Sequence, residues 1–295
     1  MKANKLYKQL EKDFIKPSLS DDWARYMRSI AGFLSANFKQ RSMGLVCDNA
    51  EDINKVYTAV FPSDEIMQSL LDRGESDILL FVHHPSIWVL GKESKTSRKT
   101  NRGIVFQEMK RSLLRQFKKN RISIYNLHVP LDNYGIYSTS LTLAKALDMK
   151  IKKPFAPYFG GLCGVIAETN IKTRRDLVKK IEKTVNHKVK LYPYGESKIL
   201  NSKVAVIAGG GNLPEEIPKI AKFKINTFIT GVTKLNKNYE PSVRAHSLLK
   251  ELKINLTGAT HYSTEKFACI AVCRYFKKLG LPAEFIEGKP LFSDM

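Results

Sequence analysis

Asp77-Ile78-Leu79-Leu80-Phe81-Val82-His83-His84-Pro85 reads as a strand that ends on chemistry. Five consecutive apolar residues are the pattern of a strand buried on both faces, as in the parallel sheets of α/β proteins. Its carboxyl end is where such folds place ligands, and there the sequence puts two imidazoles. In a continuing strand His83 and His84 would point to opposite faces. Pro85 cannot donate to a ladder, so the chain is free to leave the strand there and bring both rings to one site.

Working outward, the same alternation recurs. Upstream, short β-rich runs at 44–47 and 56–61 precede a helical pattern at 64–72. Downstream come a helix at 106–119, a strand at 122–127, a helix at 139–147 and a strand at 164–168. A second half repeats the rhythm, with helices at 173–185, near 214–221, at 243–252 and 264–279, and strands at 189–192, 203–208, 227–230 and 254–257. The pattern predicts an α/β protein of two lobes with a seam between them. Residues 1–40 read as a helical extension, its helices at 2–15 and 23–38; residues 41–160 form the first lobe and 161–295 the second, both in one functional unit. The Pro-, Gly- and aromatic-rich stretch 152–161 and the loop 194–201 are the expected linkers.

Two further segments carry the same chemistry as the first. His128 and Asp132 follow the strand at 122–127, four residues apart, with Pro130 between them favouring a loop over a helix. His261 and Glu265, also four apart, sit where the strand at 254–257 gives way to a helix, so one helical turn would align them. Three strand ends thus use four of the chain's six histidines. Imidazole plus carboxylate without thiolate suits zinc, manganese, iron or cobalt. Five ligands, His83, His84, Asp132, His261 and Glu265, exceed the needs of one tetrahedral ion, and two divalent ions bridged by a carboxylate use them naturally. Two such ions acidify water and stabilise developing negative charge, so metal-assisted hydrolysis is the expected reaction class. His128, supernumerary as a ligand, is the candidate catalytic proton carrier.

Elsewhere the residues carry quieter readings. Ala208-Gly209-Gly210-Gly211-Asn212 lacks the Lys-Ser/Thr of a phosphate-binding loop and reads as a tight strand-to-helix turn. His187 and His246 read as solvated or structural, and Ser138, Ser140 and Ser263 lack a nucleophile-elbow context. Cys47, Cys163, Cys269 and Cys273 make no Cys-x-x-Cys pair and read as buried, reduced thiols. The chain lacks a signal-peptide core and any apolar run long enough to span a bilayer, so a cytoplasmic protein without membrane association is expected. Its formal charge of +21 draws it towards polyanions. Because the Lys and Arg residues are spread over nearly every polar face, this supports an anionic small-molecule substrate and at most weak nucleic-acid binding.

The ordered set of motifs resembles the dinuclear-metal family of the NGG-one-interacting-factor-three-like proteins and the type-two GTP cyclohydrolase I homologues. The resemblance spans residues 44–285. It includes the His-His-Pro turn, the His-x-x-x-Asp segment with Gly135 and Leu143-Ala144-x-x-Leu147, the glycine turn, Ile229-Thr230-Gly231, and His261-Tyr262-Ser263-Thr264-Glu265. It implies metal-ligand roles for His83, His84, Asp132, His261 and Glu265, a histidine beside them at His128, metals held between two lobes, and a ring-shaped homohexamer. It also implies a hydrolase of nucleotides or related phosphorylated or heterocyclic metabolites, similar to a GTP cyclohydrolase. The alternative is a non-catalytic, metal-organised hexamer that regulates or binds protein or nucleic acid. Val129, Pro130, Thr260 and Val232 depart from the family's usual residues, which places the differences in the pocket walls and leaves the ligand positions intact.

Overall fold

The computed structural model describes residues 1–90, 97–99 and 104–295. In it the apolar run before the histidine pair is β3 (Ile78–Val82), the centre of a five-stranded sheet. The order of that sheet is β1 (Gly44–Cys47), β7 (Ile122–Asn126), β3, β2 (Lys55–Ala59) and β14 (Ala283–Phe285). All neighbours are parallel except the β1 edge, which runs antiparallel to β7.

Every residue of β3 is buried, and the two faces separate by alternation. Ile78, Leu80 and Val82 pack with α3 (Asp64–Asp72) and α4 (Arg111–Lys119) through Met67, Leu70 and Phe117. Leu79 and Phe81 pack on the opposite face with α1 (Ala3–Phe14) and α10 (His261–Lys278) through Leu6, Leu10, Val272 and Phe276.

The second sheet has six strands in the order β10 (Lys190–Tyr192), β13 (Asn255–Gly258), β12 (Thr227–Thr230), β11 (Lys203–Ile207), β9 (Gly161–Glu168) and β8 (Lys150–Tyr158). Its centre, β11-β12-β13, is parallel, and its edges are antiparallel. One face carries α6 (Thr139–Ala146) and α7 (Arg174–Val185), through Leu143 and Leu177; the other carries α8 (Ile217–Lys222) and α9 (Glu240–Glu251), through Ile220 and Leu249. Since α10 lies against β2 and α6, these two helices form the layer between the sheets. A small third sheet joins β4 (Ile87–Leu90), β6 (Ile104–Gln107) and β5 (Ser97–Lys99). No described helix is long and apolar enough to cross a membrane.

Several local expectations are corrected. Residues 152–161 do not link two lobes: β8 and β9 form a hairpin through them, and Pro154 and Pro157 are tolerated because β8 is an edge strand. The sheets consequently cut across the boundary expected at residue 160, since β8 begins at Lys150 in the second sheet and β14 returns to the first. The helix expected at 23–38 is two 3-10 segments, Trp23–Tyr26 and Arg28–Phe33, followed by α2 (Ala36–Arg41), which Ser35 caps through its side chain. The run from Phe106 starts as β6 and becomes helical only at Arg111.

Candidate metal centre

Three turns of chain deliver the cluster. At the end of β3 the His83 and His84 N–H groups donate to Ala59 O and Val60 O, and the chain bends out of the strand. Both rings then occupy one site, with centroids 4.3 Å apart. His128 and Asp132 bound a short helix, α5 (His128–Asp132), where a loop was expected. Pro130 is its third residue, and within a first turn a missing N–H forfeits no intrahelical bond. The third turn is the start of α10, three residues earlier than the sequence pattern indicates. Thr260 caps it by accepting from Ser263 N, and the Asp294 carboxylate accepts from His261 N at 2.9 Å. His261 and Glu265 then lie one turn apart on one side, 3.1 Å between Nε2 and Oε1.

The polar atoms converge on one point. Glu265 Oε2 is 3.0 Å from His84 Nε2, and Oε1 is 3.4 Å from His83 Nε2. His261 Nε2 and His84 Nε2 face each other at 3.1 Å, and Asp132 Oδ1 is 3.5 Å from His83 Nε2. His83 donates Nδ1–H to Leu127 O at 3.1 Å, which fixes the tautomer and turns the Nε2 lone pair inward. That buried Nε2 has no hydrogen-bond partner. Thr139 Oγ1 donates to Asp132 Oδ1 at 2.9 Å.

The glycine turn belongs to this site. Gly209 has φ +67°, and a Cβ there would stand 2.0 Å from Glu265 Oε1 and 3.0 Å from His261 Nε2. Its N–H donates to Thr264 Oγ1 at 2.9 Å. The glycine therefore lets the end of β11 close over His261 and Glu265.

Two buried carboxylates here have no Lys or Arg ion-pair partner among the described residues, so the cluster requires positive charge from elsewhere. His83, His84 and Glu265 alone place one ligand atom each within 4.8 Å of one another. With Asp132 and His261 beside them, the donors are the imidazole and carboxylate groups that borderline divalent ions accept. All five sequence-predicted ligands thus come to one place.

Without a cation, protons do the balancing. Burial alone disfavours the His83 imidazolium, but Glu265 first and Asp132 next outweigh it and push its pKa up to about 9. Burial foremost holds His84 well below its ordinary value. Because the folded pKa of His83 lies above the unfolded one, this pairing is fully stabilising below about pH 6.5 and is lost as pH rises through about 9. Chelator-treated protein is therefore expected to lose Tm between those values. Metal-loaded protein, in which the ion replaces the proton, should not show that decline.

His128 lies beside the cluster, its Nε2 3.6 Å from Asp132 Oδ2. Its Nδ1 is 2.9 Å from both the Trp23 indole nitrogen and Asp21 Oδ2. A single Nδ1 cannot serve both at once. Unprotonated, it accepts the indole N–H; protonated, it donates to Asp21. Asp21, Trp23, Thr139 and Asp294 are site residues that sequence reading misses. Only Asp21 and Trp23 carry any signal, an acidic pair before an aromatic residue, and it is weak. His187 and His246 lie outside the cluster, the first bonded to Ser263 Oγ at 2.6 Å and the second to Thr233 O and Tyr194. The four cysteines are buried and free.

The chain is similar in sequence and in fold to known proteins. The sequence model of the family described as Duf34/NIF3 (NGG1p interacting factor 3) matches residues 19–290. A Pyrococcus horikoshii protein named GTP cyclohydrolase 1 type 2 homolog is 28% identical over 259 residues, covering 86% of this chain and 92% of its own. Among solved structures, protein ybgI, described as of unknown function, superposes with a TM-score of 0.73 at 22% identity over 99% of this chain and 100% of that one. Reduced HcgD from Methanocaldococcus jannaschii follows with a TM-score of 0.64 at 22% identity, covering 98% of each chain. At these identities the structural likeness concerns the fold.

Proposed function

Because this chain belongs to the Duf34/NIF3 family, we propose that it is a metal-dependent hydrolase of a nucleotide or related phosphorylated or heterocyclic metabolite, in the manner the name GTP cyclohydrolase 1 type 2 homolog suggests for its relatives. The observation that carries the reading is the convergence of His83, His84 and His261 Nε2 atoms on the buried Glu265 and Asp132 carboxylates, with no Lys or Arg among the described residues paired with them. These five residues would hold two divalent ions. When bound, the ions supply Lewis acidity, making water acidic near neutral pH and stabilising negative charge that develops on the substrate.

The remaining work falls to the chain's own groups. Leu127 O holds His83 in the tautomer that offers Nε2, and Thr139 orients Asp132. His128 is the proton carrier. With Nδ1–H donated to Asp21 Oδ2, Nε2 is left unprotonated on the Asp132 side, so a proton can be taken at Nε2 and released again there.

The test begins with metal analysis of protein purified without chelator, where about two ions per chain are expected. It continues with turnover on GTP, other nucleotides and phosphodiesters. Asp132→Ala should lower turnover about 100-fold together with metal content. His128→Ala should lower it by a similar factor, within the ~10²–10⁴ range of general acid–base catalysis, while metal content stays unchanged. Less than one ion per chain, or turnover indifferent to both changes, would remove the reading.

A further inference from the structure

The cluster opens on a cavity of about 300 Å³. His84, Asp132, His261 and Glu265 line it, and the rest of its described wall includes aromatic rings from both halves of the molecule beside the glycine turn at Gly210 and Gly211. On one side Trp23 and Tyr26, from the segment preceding β1, pack with Phe106 of β6. The Tyr26 and Phe106 rings are stacked at 4.5 Å, and Trp23 meets Phe106 edge-on at 4.9 Å. On the other side Tyr158 and Phe159, at the tip of the β8–β9 hairpin, meet at 4.8 Å. The His128 ring joins the two walls, 5.5 Å from Trp23 and 6.1 Å from Tyr158 and nearly perpendicular to both.

The charges of the wall are as informative as its rings. Among the described residues lining the cavity, Arg25 is the one Lys or Arg. Its guanidinium is already engaged, 2.5 Å from Asp22 Oδ2 and 4.5 Å from the Tyr26 ring centroid. A chain of formal charge +21 has therefore kept free cations off the described walls beside its cluster while spreading them over the rest of its surface. A polyphosphate tail would find no free Lys or Arg among the described residues of these walls, whereas a flat π-system would be well matched. The size agrees, since about 300 Å³ is the lower end of the range for small-molecule sites.

Resting on the hydrolase reading above, we propose that this cavity binds the substrate by an uncharged planar heterocycle held between the Trp23/Tyr26/Phe106 wall and the Tyr158/Phe159 wall, with the scissile group directed at the His-carboxylate cluster. The N-terminal segment is then a specificity element, because Trp23 and Tyr26 both come from it. The phosphate groups of a nucleotide, if the substrate has any, contribute little to its affinity for the walls.

Calorimetric titration of the full-length protein, as purified and after chelation, tests this with guanosine, adenosine, cytidine and pterin as heterocycles, and GTP and inorganic tripolyphosphate as anions. In chelated protein at least one heterocycle should bind, GTP should bind within about threefold of guanosine, and tripolyphosphate at least about tenfold more weakly. Tyr158→Ala and Trp23→Leu should each weaken heterocycle binding roughly tenfold, the worth of one base–aromatic contact. The exposed Phe159, 40% accessible, gives a third variant that leaves the core intact. Thermal melts confirm that each variant is folded. Tripolyphosphate binding as tightly as GTP, heterocycle affinity unchanged in all three variants, or no heterocycle bound would overturn the proposal. Ring binding that persists in chelated protein, alongside a preparation that takes up no metal, would defeat the hydrolase reading while leaving this one standing.

Discussion

Glu265→Ala is expected to give a folded protein that retains neither metal ion and has no measurable turnover. The carboxylate touches three imidazoles: Oε2 is 3.0 Å from His84, and Oε1 is 3.1 Å from His261 and 3.4 Å from His83. Burial alone would raise its pKa, but His261, His84 and His83 together outweigh that and hold it well below the ordinary carboxylate range. Removing one member of a buried charged network costs about 3–5 kcal/mol, so metal affinity should fall roughly 10³-fold. Asp132 alone would remain as the carboxylate to balance any bound dications. Inductively coupled plasma measurement of metal per chain, with the far-ultraviolet circular dichroism of the same sample, checks both halves of the expectation. Two ions retained by the variant would show that the cluster is not the metal site.

The parts of this centre differ in how far the sequence reveals them, and the differences follow from physical causes. His83 and His84 are legible because they end a five-residue apolar strand, and a strand buried on both faces leaves a strong local pattern. His261 and Glu265 are legible as a pair, but their helix starts at His261 and not at Thr264. The early start depends on Asp294, which accepts from His261 N across 33 positions of sequence. Such a tertiary cap leaves no mark on the segment it caps. The helical state of His128 and Asp132 is hidden by Pro130, whose usual meaning as a breaker lapses within a first turn.

Trp23 is the instructive miss. Apolar residues spaced through 23–38 predict one amphipathic helix, yet the chain breaks into 3-10 turns there, with a non-helical Ile30. Trp23, Met27, Ile30, Leu34 and Phe38 all reach the core, so the periodicity is real. What the pattern cannot reveal is the pull of Asp21 and the Trp23 indole on His128 Nδ1, a contact spanning more than a hundred residues. The hairpin through residues 152–161 is hidden for a related reason. Pro and Gly mark loops in general, and only an unpaired sheet edge makes room for Pro154 and Pro157 within a strand.

Gly209→Ala separates two contributions that the glycine turn combines, and it is expected to damage both stability and metal binding. The first contribution is backbone conformation. Gly209 adopts φ +67°, where a Cβ costs about 1–2 kcal/mol. The second is space, since the added carbon would stand 2.0 Å from Glu265 Oε1 and 2.9 Å from its Cδ, distances no side chain in a packed site can absorb without moving. Gly74 supplies the control. It has φ +66°, and nothing lies within 4 Å of the position its Cβ would take. Gly74→Ala should therefore lower stability by about 1–2 kcal/mol with metal content unchanged. Gly209→Ala should carry that same conformational cost plus about 1–3 kcal/mol of overpacking, and it should lose metal because Glu265 is pushed off the three imidazoles. Denaturant melts of both variants, paired with metal analysis, read the difference directly. Equal destabilisation with equal metal content would mean that the turn is glycine for its backbone alone; a larger loss confined to Gly209 would assign the glycine to the closure of β11 over the cluster.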